Sequence, residues 1–158
     1  MKVIHWIVAA AAFAFVQSAQ AATTDPEVII YRFPGVLNDG GTMNAGIATV
    51  FHCTNFSGEN EIVRFVVRNF DGQIMANSAV TIGHLRTRTQ STHSTNAYFD
   101  EVLNNGLGTG LVNQGTTAIA ATSINVICTA MTIDASTVAP VGVALRGIRF
   151  SPVPGSQE

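Results

Sequence analysis

Beyond its second residue the chain contains no lysine, its single tryptophan is Trp6, and it has only two tyrosines and two cysteines. Only 11% of its 158 residues are charged. Each scarcity removes a class of function. Without lysine, residues 22–158 can form no Schiff base and have no lysine general base. Tyr31 and Tyr98, with no tryptophan beside them, make a poor stacking platform for sugars. Residues 22–158 carry seven Arg with no basic run against ten Asp and Glu, a net charge of −3. That balance offers no electrostatic footprint for nucleic acid or for an anionic membrane, and nucleic acid is not expected as a partner.

Apolar residues are plentiful at 47%, and part of that excess sits at the N-terminus. Lys2 supplies a positive start, residues 3–16 are almost unbroken apolar sequence, and Ala19-Gln20-Ala21 offers small residues for cleavage. This reads as a signal peptide over residues 1–21, removed after Ala21. The run is shorter than the roughly 20 residues a bilayer-spanning helix needs, and no cysteine follows the cut to take a lipid anchor. The expected product is secreted or periplasmic, with no stable membrane insertion after cleavage. Residues 22–150 form one domain, and residues 151–158, broken by Pro152 and Pro154, form a flexible tail.

An oxidising compartment lets Cys53 and Cys128 pair as a structural disulfide. His52 lies beside Cys53, but neighbours on a strand point to opposite faces, which argues against a reactive thiol–imidazole pair. The surrounding sequence reads as short strands. Residues 28–33 form the first, ended by Pro34-Gly35. Residues 47–54 form the second, with Ile47, Thr49, Phe51 and Cys53 on its core face. Residues 62–70 and 73–76 flank Asp71-Gly72, a strong hairpin signal. There Val63, Phe65 and Val67 face the core, while Arg64 and Arg68 lie on a solvated face. Residues 80–82 and 116–122 are further strands. Residues 125–133, apolar on both faces, suit a central strand, and residues 141–150 supply the last. Residues 96–106 fit either a short helix, with Phe99, Val102 and Leu103 on one side, or a distorted strand.

Residues 86–95 differ, being polar on both faces. They are expected as an exposed edge strand or loop, with Arg86, Arg88, Gln90 and His93 as a possible surface-binding set. Strand count and spacing together imply an all-β chain, a single antiparallel β-sandwich of about seven to nine strands. The placement of the cysteines on an early and a late strand resembles that of immunoglobulin domains, and the resemblance implies a bridge pinning one sheet to the other. It is immunoglobulin-like only in a loose sense: no tryptophan lies between the cysteines, and Val126 stands where those domains carry a tyrosine.

Few chemistries survive inspection. Met131 follows Cys128 by three residues, but no histidine lies beyond Cys128, so a blue-copper set is missing. His52, His84 and His93 match no compact zinc spacing. Glu59 and Glu61 sit in a turn, Asp100 and Glu101 are adjacent and diverge, and no G-x-S-x-G occurs. No catalytic residue, metal or cofactor is therefore expected. The leading reading is an exported, non-enzymatic β-sandwich that acts in surface interaction or structure, toward a protein or surface partner. One alternative is a small secreted hydrolase or metal-binding protein using His84, His93 and Asp100. A second is a pilus-type subunit assembling by strand complementation. Asn55-Phe56-Ser57 is a formal N-glycosylation sequon.

Overall fold

A computed structural model describes residues 27–41 and 43–150; the expected leader at 1–21 and tail at 151–158 lie outside the described residues. Among the described residues ten strands form in chain order: β1 (Val28–Asn38), β2 (Ile47–Asn55), β3 (Glu61–Arg68), β4 (Ile74–Ile82), β5 (Thr87–Ser91), β6 (Glu101–Val102), β7 (Val112–Ala121), β8 (Val126–Asp134), β9 (Gly142–Leu145) and β10 (Ile148–Arg149). They make two five-stranded sheets, ordered β10-β1-β7-β3-β4 and β6-β5-β2-β8-β9. The chain is thus an all-β sandwich, and every pairing is antiparallel except β5 with the two-residue β6.

Alternation builds the core. Val63, Phe65 and Val67 on β3 are fully buried, and Phe51 and Cys53 on β2 meet them from the other sheet. Phe33, Phe51 and Phe65 come alternately from the two sheets, with ring centroids 6.2 and 5.9 Å apart at tilted angles that aromatic edges and faces favour. Ile47, expected on the core face of β2, is instead exposed because it lies at the strand's open end.

Two further expectations are corrected, and one open alternative is decided. β1 does not stop at Pro34-Gly35; it runs on to Asn38, with irregular register around Pro34 and Val36 that absorbs the missing N–H and the positive φ of Gly35. Residues 96–106 contain no helix: β6 takes two of them, and turns take most of the others. The disulfide does not join the sheets. Cys53 and Cys128 are directly opposed in the β2–β8 ladder of one sheet, with Cα atoms 4.2 Å apart, so the bridge locks the register of two neighbours.

The last strand is divided between the sheets. Its first part, β9, extends the second sheet beside β8, and β10 then pairs with β1 in the first. The crossing is possible because residue 147 is glycine: a Cβ there would fall 2.4 Å from the Phe33 ring. One side of the sandwich is thereby closed. On the opposite side Asn104, in the turn after β6, reaches β4, its N–H donating to Ser78 Oγ and its Nδ2 to Met75 O.

Candidate interaction surface

Register places five connections at one end of the sandwich. The end of β1 pairs with the start of β7, the start of β2 with the end of β8, and the end of β3 with the early part of β7. The loops at residues 39–46, 69–73, 92–100, 103–111 and 135–141 therefore gather there. They are tied to one another. Asn44 N–H donates to Ser94 O, Asn96 N–H to Ala135 O, and Thr109 N–H to Thr92 O. Asn113 N–H, at the start of β7, donates to the Asn69 side chain in the β3–β4 turn.

Asn38 is the buried node of this network. Its Nδ2 donates to Thr92 O and to Thr109 Oγ1, at 3.2 and 2.9 Å. Its Oδ1 accepts from Gly40 N–H and from His93 Nδ1, both at 2.9 Å. Asn104 does similar work at the edge of β4, donating to Met75 O and Gly108 O. Asn38, Thr92, His93 and Thr109 are thus turned inward, while Asp39, Asp71, Gln73 and Asn105 stay exposed.

The tips of these loops point outward and are apolar. Met43, Phe70, Phe99, Leu107 and Val138, one from each loop, are exposed to extents running from 70% for Phe70 to 106% for Phe99. Loops on a solvated surface ordinarily present polar residues, and five exposed apolar tips at one end of the sandwich depart from that pattern. The charge around it is acidic. Asp39, Asp71 and Asp134 are exposed, Asp100 is half-buried, and Arg68, the cation near this end, donates to Gly72 O.

The residues singled out in the sequence fall elsewhere. Arg86 and Arg88 are exposed, as expected, but Gln90 and His93 are buried, and so are Ser91, Thr92 and Thr95. The expectation of a wholly exposed segment over residues 86–95 is corrected: β5 lies between β2 and β6, and the loop after it is packed under its neighbours. Arg88 and Gln90 meet through Glu101, whose carboxylate accepts from both. They border the side between β4 and β6, where Ser78, Val80, Gln90 and Glu101 line a groove of about 360 Å³. Arg64, expected on a solvated face, makes a two-pronged pair with Glu27 and also reaches Asn77.

His84, His93 and Asp100 do not assemble. His84 precedes β5 and accepts from Gly58 N–H at the far end of the sandwich, whereas His93 follows β5 and sits on Asn38. Asp100 lies instead in the field of His52. Among the described residues, no three His, Cys, Asp or Glu side chains are placed to hold a metal. The sequon also has a structural job: Asn55 is buried, and its Nδ2 donates to Glu59 O and Ile82 O.

Composition gave no warning of the His52 site on the outer face of the second sheet. His52 bonds Thr89 Oγ1 through Nδ1, and Tyr98 packs edge-on against it at 4.6 Å while its hydroxyl donates to Met131 Sδ. Burial pushes the imidazole below its usual 6.5, with Asp100 pulling weakly the other way. The unfolded chain therefore takes up this proton first, and stability falls as pH drops below about 6.5. We expect the melting temperature of His52→Gln to fall less over that range than wild type, by on the order of 1–3 °C, in a series of thermal melts. Equal slopes would remove His52 from the account.

Among the described residues, no helix is long and apolar enough to cross a membrane. No protein-family model, no curated protein and no solved structure matches the chain, so its own residues must carry the functional argument.

Proposed function

We propose that this chain is an exported, non-enzymatic interaction protein that docks onto its partner through the apolar loop end. The observation behind this reading is the buried network of Asn38, Thr92, His93 and Thr109 lying beneath five apolar tips, Met43, Phe70, Phe99, Leu107 and Val138, that are turned to solvent. A rigid network beneath the tips suits docking, because little side-chain and loop ordering remains to be lost on binding. Two further features fit export. Residues 1–21 have the composition of a cleaved leader, and a cysteine pair bridged across neighbouring strands belongs in an oxidising compartment.

The test is made in the cell that produces the protein. Mass spectrometry of the mature chain should give residues 22–158 with no free thiol. A photo-reactive residue at position 99 or 107 should form an adduct, whereas one at Ala79, exposed midway along β4, should not. Absence of adducts at the loop end, or equal yield at Ala79, defeats the reading.

A further inference from the structure

The two ends of the sandwich are chemically complementary. At the end opposite the apolar loops lie the turns at residues 56–60, 83–86 and 122–125, because the end of β2 pairs with the starts of β5 and β8 and the start of β3 pairs with the end of β4. These turns also expose apolar side chains: Phe56, Leu85 and Ile124. Here the neighbouring charge is positive. Arg86 follows Leu85 directly and is exposed, and Arg149 lies against Ile124, donating to its carbonyl at 2.7 Å. Glu59 is the exposed carboxylate of these turns and Glu61 is buried against Thr122 Oγ1, so the exposed charges there are two cations to one anion.

The loop end pairs apolar tips with acid in the same manner: Phe70 is followed by Asp71, and Phe99 by Asp100. From this we infer that the partner of the loop end is the opposite end of a second copy of the chain, so that molecules stack head to tail. The inference rests on the reading that the loop end is a docking face, and it names what docks there. Two loop ends placed together would oppose Asp39, Asp71 and Asp134 to themselves, which like charge disfavours. A bilayer is a worse fit, because Asp71 would enter the apolar region beside Phe70. The cationic apolar end of the same chain meets both demands. Such an interface is heterologous, so it leaves a free end of each kind after every addition and does not close at a dimer.

Analytical ultracentrifugation of the oxidised mature protein tests this. The mean mass should rise with concentration past that of a dimer, and more steeply at low salt. Phe70→Ser should weaken association about tenfold or more, and so should Leu85→Ser, since each removes an apolar anchor at one end. Each of these residues is exposed, so folding should persist in both variants, and a circular dichroism melt confirms it. Mixing the two supplies the decisive reading. The intact loop end of Leu85→Ser can dock on the intact far end of Phe70→Ser, so the mixture should form dimers and stop there. As an independent pair, Asp71→Arg should weaken stacking and Arg86→Asp should restore it when the two variants are mixed.

A wild type that stays monomeric, a wild type that stops at a dimer, or a mixture that fails to associate overturns the head-to-tail assignment. Sedimentation with phosphatidylcholine vesicles separates that failure from failure of the docking reading. Monomers that bind vesicles through Phe70 and Phe99 overturn stacking but keep the loop end as the docking face. Monomers that bind no vesicle and give no adduct at position 99 overturn both.

Discussion

Replacing both cysteines, Cys53→Ala with Cys128→Ala, is expected to lower the unfolding free energy by about 4 kcal/mol. The cysteines are 75 residues apart, so the unfolded chain with the bridge intact is closed over half its length and loses corresponding freedom. Both sulfurs are buried, and alanine leaves small voids that add to the cost. The β2–β8 ladder from Ile47 opposite Asp134 to Asn55 opposite Val126 remains available, so the variant should still fold. With total stabilities of domains near 5–15 kcal/mol, the loss is a large fraction of the whole. Urea unfolding should show a lower midpoint with a somewhat larger m, as the released chain exposes more surface. A midpoint within error of the oxidised wild type would mean that the strand register alone supplies the stability.

The same bridge marks a boundary of what the sequence discloses. Period-two alternation fixed Phe51 and Cys53 as inward, and both are buried; it also fixed Val63, Phe65 and Val67. The hairpin around Asp71-Gly72 formed where Asp-Gly supplies positive φ cheaply, with Gly72 at φ 84°. Alternation says which face a residue takes. It does not say which strands become neighbours, and so it could not tell a bridge between sheets from one within a sheet.

Polarity misled where neighbours cover it. Gln90, Ser91, Thr92, His93 and Thr95 look like solvent-facing sequence, yet they are buried: the loops at 39–46 and 103–111 bond the backbone of Ser91, Thr92 and Ser94, while Ser91 Oγ, His93 Nε2 and Thr95 Oγ1 are buried without a partner among the described residues. The most exposed apolar residues of these two loops and of the loop at 135–141, Met43, Leu107 and Val138, are flanked by Thr, Asn, Gly or Ala. A lone Met43 or Leu107 has no periodicity to announce it. Only when register gathers five loops at one end do scattered residues become a surface. The signal that was present in the sequence is the dipeptide pattern, Phe70-Asp71 and Phe99-Asp100 against Leu85-Arg86, and its meaning depends on which end each dipeptide occupies.

Asn38→Leu should expose how far that surface depends on the network beneath it. Leucine matches asparagine closely in volume but can neither donate nor accept. Thr92 O keeps the Thr109 N–H, and Thr109 Oγ1 keeps Gly110 O as acceptor, so those groups survive the change. His93 does not. Its Nδ1 loses Asn38 Oδ1, its Nε2 is already buried without a partner, and a buried imidazole is left with neither nitrogen paired. Gly40 N–H loses its acceptor as well. Gly40 is exposed and its N–H can turn to water, whereas leaving a buried imidazole unpaired costs about 1–3 kcal/mol, and that is the loss expected. The damage should be local before it is global. Amide exchange should accelerate in residues 39–46 and 92–110 and much less in β3, whose bonds to β4 and β7 are untouched. Docking through the loop end should weaken too, although Asn38 is buried and reaches no partner, because tips released from the network must be ordered again on binding. Unchanged exchange in both loops would show that the tips are held without Asn38, and that the network is not what fixes the surface.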